Sequence, residues 1–195
     1  MVHPGEVDTI SSEHVVSNDM AMARKAVRTP VLLIAALCAL LYANWILAIA
    51  RFQPNVMFMD QWDYFLPLFN GQGWWARFTV QQGPVREGLG FVVTGWILEA
   101  TAWDVRYDSL WVATALLLAT GLALRLKWKL TGAIGLRDAC IPVILLSLRQ
   151  FETILSVPQA SHSVVPLVLI LLTANVWLSP TPALDTSLPA SSPSR

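Results

Sequence analysis

The sequence predicts an all-α protein: a polytopic transmembrane helical bundle of about four spans, with a long extracytoplasmic loop carrying short interfacial helices. Three observations predict it. Of 195 residues, 55% are hydrophobic and 13% charged, about half the charge of a soluble domain. The stretch Pro30–Ala50 carries no charge at all and is long enough for ~30 Å of hydrocarbon. Nine tryptophans stand in one short chain, and such rings favour membrane–water boundaries. Thirteen basic and thirteen acidic residues cancel, so bulk charge gives no argument for a nucleic-acid partner. Cys38 and Cys140 lie in apolar runs, and His3, His14 and His162 are scattered. No metal-ligand spacing arises from them.

Residues 1–29 are polar and mixed in charge and read as a disordered cytoplasmic arm, with a short helix near Asn18–Val27. Thr29-Pro30 has the pattern of a helix start, a hydroxyl cap before a first-turn proline. The first span is 30–50. Ala48-Ile49-Ala50 resembles a signal-peptide cleavage site, yet signal cores run roughly 7–15 residues and this run is longer. It is therefore expected to stay as an anchor.

Residues 51–107 form the loop, with Pro54, Pro67, Pro84 and five of the nine tryptophans. Short helices are expected near 60–70, 74–82 and 88–101, too short to span. Spans two to four occupy 108–178: one near Leu110–Leu126, one around ACIPVILLSL, and a weaker one at Val164–Leu178 that contains Pro166. Residues 179–195 hold four prolines and five serines and read as a disordered tail. Basic residues cluster before the first span (Arg24, Lys25, Arg28) and in the 125–137 turn. The loop has basic residues too, but they are spread out and outnumbered by acids. The N-terminus is thus expected in the cytoplasm and the loop outside.

Three loop features carry candidate chemistry. Asp60 and Asp63 are three apart, on one face of a helix. They could share a divalent cation or serve as a general base; equally, Asp60 could cap a helix with Asp63 near its dipole. In Gln81–Gly88, Gly-Pro makes a turn that would present Arg86 and Glu87 outward. Arg86 offers a rigid fork for a phosphate, and the plain alternative is a solvated loop with a local ion pair. Arg149 and Glu152 would pair in mid-membrane if the third span is continuous, or lie in an outer turn if it ends near Leu148. Asn44 is expected to hydrogen-bond between helices. Trp74, Trp75, Trp103, Trp111, Trp128 and Trp177 are expected as boundary anchors.

The order of an anchor helix, MFMDQWDYFLPLF, QQGPVREGLG, a basic turn and RQFETILSVPQ resembles the N-terminal part of bacterial GT-C-type membrane glycosyltransferases. The resemblance implies a plasma (inner) membrane location and a polyprenyl-phosphate sugar as donor. By it Asp60 is the acid–base residue and Asp63 a second acid or cation ligand, while Arg86, Glu87 and Arg149 are substrate-binding candidates. Members of that family have eight or more spans. This sequence is therefore expected to be a truncated or shortened relative, not active as an isolated chain. The alternative is a non-catalytic small membrane protein that serves as an assembly partner.

Overall fold

A computed structural model describes residues 8–57, 61–155 and 160–178. Among them the regular structure is helical, apart from one two-residue β ladder. Two helices, Thr29–Phe52 and Val105–Thr131, are long and apolar enough to cross a membrane. The first belongs to α1 (Asp8–Phe52), which continues unbroken through Pro30. The arm thus does not end in a fresh helix start at Thr29-Pro30, and its helix is longer than Asn18–Val27. Residues 1–7 and the proline-rich tail, 179–195, lie outside the described residues.

The loop folds against itself. Helices α2 (Gln61–Tyr64), α3 (Leu66–Phe69), α4 (Trp74–Thr79) and α5 (Gly88–Ala100) follow in order, close to the three short helices expected. Tyr64, Phe65, Leu68, Phe91, Leu98 and Val105 are buried together. The ring of Tyr64 meets that of Phe91 edge-on at 4.7 Å, and Phe69 stacks on Trp103 at 4.8 Å. Gly95 lets α5 approach Leu68: a Cβ there would sit 2.9 Å from Leu68 Cδ2. An Arg77–Glu99 ion pair of 2.8 Å ties α4 to α5. The chain then turns through left-handed Ala102 and Trp103 into α6 (Val105–Thr131).

Helix α6 runs antiparallel to α1. Tyr42 Oη lies 2.8 Å from Thr114 Oγ1, and Gln53 Nε2 donates to Ser109 Oγ at 2.7 Å. A second core of Trp45, Ile49, Val112, Ala115, Leu116, Leu146, Ile154 and Val164 joins them to the C-terminal helices. Helix α6 stops at Gly132, whose left-handed backbone (φ 72°) closes its C-terminus.

Beyond α6 the structure departs from four uniform spans. The third apolar stretch is broken into α7 (Cys140–Leu146) and α8 (Phe151–Leu155) by extended Ser147 and a 3₁₀ turn over Leu148–Gln150. Gln150 Nε2 donates to the Ile144 carbonyl at 3.0 Å, replacing a helical partner lost at the break. Even so, this stretch returns along α6, because Trp45 Nε1 donates to Leu146 O at 2.9 Å and Leu155 reaches the end of α1. The fourth helix, α9 (Val165–Trp177), has 13 residues, about 20 Å at 1.5 Å per residue. That falls short of ~30 Å. Asn44 is exposed; the interhelical role belongs to Asn175, whose Nδ2 donates to Leu122 O at 2.9 Å.

Candidate functional site

The end of the bundle where α1 closes and α6 opens gathers most of the buried polar groups. Gln53 and Asn55, just past α1, reach across to α6. Gln53 holds Ser109, and Asn55 Oδ1 accepts the Val105 amide at 3.0 Å. One residue before, Asp104 caps α6 through the Arg106 amide and takes the Arg106 guanidinium at 2.6 Å. Those bonds, chiefly from the Arg106 side chain, hold the Asp104 carboxyl below its ordinary range. Deeper in, Thr94 Oγ1 of α5 donates to Asp108 Oδ1 at 2.8 Å, and both residues are fully buried. Asp108 Oδ2 and Gln53 Oε1 are buried without a hydrogen-bond partner among the described residues.

A cavity of about 480 Å³ opens at this end, lined by Phe52, Gln53, Pro54, Val56, Gln61, Val105 and Leu155. Its wall draws on the end of α1, the start of α2, the start of α6 and the end of α8. Gln61 follows Asp60 directly in the sequence, and Leu155 belongs to RQFETILSVPQ.

The third motif segment, QQGPVREGLG, forms a hairpin. Strands β1 (Gln81–Gln82) and β2 (Val85–Arg86) pair antiparallel around Gly83-Pro84, and Gly83 takes the positive φ of 57° that the turn needs. The turn was expected to present both charges outward. Arg86 does stand exposed, but Glu87 turns inward and is fully buried. Its amide donates to Val80 O at 3.0 Å, and its Oε1 lies 2.7 Å from His162 Nε2. There is no local Arg86–Glu87 ion pair among the described residues. A buried polar side chain needs a hydrogen-bond partner, and an imidazole 75 positions away supplies it.

The other sequence candidates are dispersed. Asp60 lies outside the described residues. Asp63 is exposed on α2, and Arg149 is exposed in the break between α7 and α8. Glu152 is exposed as well, and no ion pair joins it to Arg149 among the described residues. Among the described residues no three His, Cys, Asp or Glu converge as metal ligands. Trp74, Trp75, Trp128 and Trp177 are exposed, as boundary anchors would be, while Trp103 and Trp111 are half-buried. His162 was passed over in the sequence because nothing local marks it. Asp108 was passed over as well, because an acid in the first turn of a helix is ordinary there.

Comparison with known proteins supplies no name: no family model matches the chain, and neither a characterised protein nor a solved structure matches it.

Proposed function

We propose that this chain is a multi-pass module of a bacterial inner membrane, N-terminus in the cytoplasm, that serves sugar transfer from a polyprenyl-phosphate donor. One observation carries the reading: segments distant in sequence that hold the GT-C-like motifs share one cavity. Gln61, next to Asp60, and Leu155, from RQFETILSVPQ, both line it. The two long apolar helices also support it, because the cavity lies at their common end. In this reading Asp60 takes the proton of an acceptor hydroxyl. Arg86, exposed on the hairpin, is free to meet the lipid phosphate. In this reading Asp63 is a second acid or cation ligand and Arg149 a substrate-binding residue, and a divalent cation at Asp60 and Asp63 would add charge neutralisation. The test uses bacterial membranes that express the chain, supplied with labelled polyprenyl-phosphate sugars. Asp60→Asn is expected to abolish transfer while insertion and helicity stay unchanged. Undiminished transfer by a correctly inserted Asp60→Asn protein rejects the reading.

A second reading is a non-catalytic assembly partner within the membrane. The observation in its favour is an open apolar groove of about 550 Å³ on α9, lined by Leu169, Ile170, Thr173 and Trp177. Native mass spectrometry of the membrane-extracted protein decides it. A complex that survives Asp60→Asn with Asp63→Asn favours assembly, and an exclusively monomeric mass counts against it.

A further inference from the structure

The Glu87–His162 contact has the geometry of an acid–base dyad. Glu87 is fully enclosed, at the N-terminal edge of α5, and its Oε1 sits 2.7 Å from His162 Nε2. Its second oxygen, Oε2, is buried without a hydrogen-bond partner among the described residues, so the imidazole is the group that meets this carboxyl. With Nε2 turned to Glu87, Nδ1 is the ring nitrogen left to meet a ligand. The His162 side chain keeps 27% of its surface exposed, and Nδ1 has no hydrogen-bond partner among the described residues.

The surroundings leave Glu87 as the group that sets the ring's state. The turn carrying His162, Ala160–Val164, packs against α5, α6, α8 and α9. On α5 Glu99 is tied to Arg77, and on α6 Asp108 is bonded to Thr94 and Arg106 to Asp104. Tyr107 of α6 and Glu152 of α8 are exposed. Arg125, Lys127 and Lys129 lie near the far end of α6, and α9 has no ionisable residue. One turn along α5 from Glu87, Phe91 packs on Tyr64. The dyad therefore adjoins the segment that follows Asp60.

We propose that His162 is a proton acceptor for a hydroxyl-bearing ligand at this end of the bundle, with Glu87 as the positioning residue that holds its tautomer. This rests on the sugar-transfer reading for its reaction. There the acceptor O–H proton passes to Nδ1, and the acceptor oxygen bonds to the donor's anomeric carbon. The anomeric C–O bond to the lipid phosphate breaks, its electron pair leaving with the phosphate. This assigns to His162 the proton that the sequence offered to Asp60, and His162→Gln set beside Asp60→Asn separates the two bases. Positioned general bases contribute about 10²–10⁴ in rate.

The test pairs kinetics with spectroscopy on the full chain in nanodiscs. With labelled polyprenyl-phosphate glucose, His162→Gln is expected to lower the transfer rate by about a hundredfold or more. Glu87→Gln is expected to lower it by a smaller factor and to move the pH of half-maximal rate downward, which a merely structural loss would not do. Transfer by His162→Gln within twofold of the parent overturns the dyad while leaving the sugar-transfer reading in place. If the parent protein transfers nothing, that reading falls, and ¹⁵N spectra of the His162 ring decide the dyad. An unprotonated Nδ1 that becomes a tautomer mixture in Glu87→Gln upholds it. A protonated Nδ1, or a ring indifferent to Glu87→Gln, overturns it.

Discussion

Two hydrophobic cores among the described residues are built differently. Between α1, α6, α7 and α8, the core uses aliphatic and alanine side chains around one tryptophan, Trp45. In the loop, helices of four to thirteen residues are held by Tyr64, Phe65 and Phe91, with Phe69 and Trp103 stacked beside them. Long helices gain a continuous contact stripe from many small increments. Helices of one turn have no such stripe and are unstable alone, and here the buried rings of Tyr64, Phe65 and Phe91 gather them. Aromatic rings supply ~150–250 Å² apiece, which compensates for short elements. Length and ring size substitute for one another.

The sharpest way to break this comparison is Phe65→Ala. Phe65 is fully enclosed and contacts Tyr64, Phe91 and Trp103. Its loss is expected to cost about 3–5 kcal/mol. Hydrogen exchange should rise over 61–69 and 91–98 while Val112–Leu122 stays protected. Equal deprotection of both regions would mean a single cooperative core.

Gly95→Val tests how closely the loop is packed, because its Cβ would press on Leu68. Overpacking of this kind costs about 1–3 kcal/mol, read as a lower denaturation midpoint. An unchanged midpoint would show that Leu68 rotates away freely. In the other core, Trp45→Phe keeps most of the ring but removes the donor to Leu146 O. A loss of about 1 kcal/mol is expected, with faster exchange confined to α7.

The smallest effect concerns the turn after α6. Asp138 accepts from the Gly135 amide at 2.8 Å and pairs with Lys127 at 3.0 Å. These two contacts, the amide first, hold its carboxyl below the ordinary range. A lowered carboxyl contributes stability above its unfolded value of about 3.9, and that contribution disappears as pH falls through the folded value. Protection of the Gly135 amide should therefore be flat from about pH 5 to 8 and decline below about pH 4. A decline centred near neutrality would exclude Asp138 as its cause.

What the sequence made legible follows from local chemistry. The charge-free run ending at Ala50, the proline- and glycine-bounded loop helices and the Gly83-Pro84 turn are all set by near neighbours, and all appear. The direction of Glu87 is not. A turn residue reads as solvent-facing until its partner is known, and the partner stands 75 positions away. Asn44 and Asn175 are chemically equivalent in apolar runs, and only helix packing decides which one faces a neighbour. The third stretch misled for a similar reason: its composition suits a span, but Ser147 extends and Gln150 folds back to Ile144.

On the membrane reading proposed above, that break bears on how the chain enters a bilayer. A segment interrupted at Ser147 exposes peptide groups that hydrocarbon cannot satisfy, so α7 and α8 are poor candidates for insertion on their own. The indole N–H of Trp45, already in place on α1, accounts for the Leu146 carbonyl beside the interruption. On that reading the order of synthesis matters, because the helix that receives the interrupted segment precedes it in the chain.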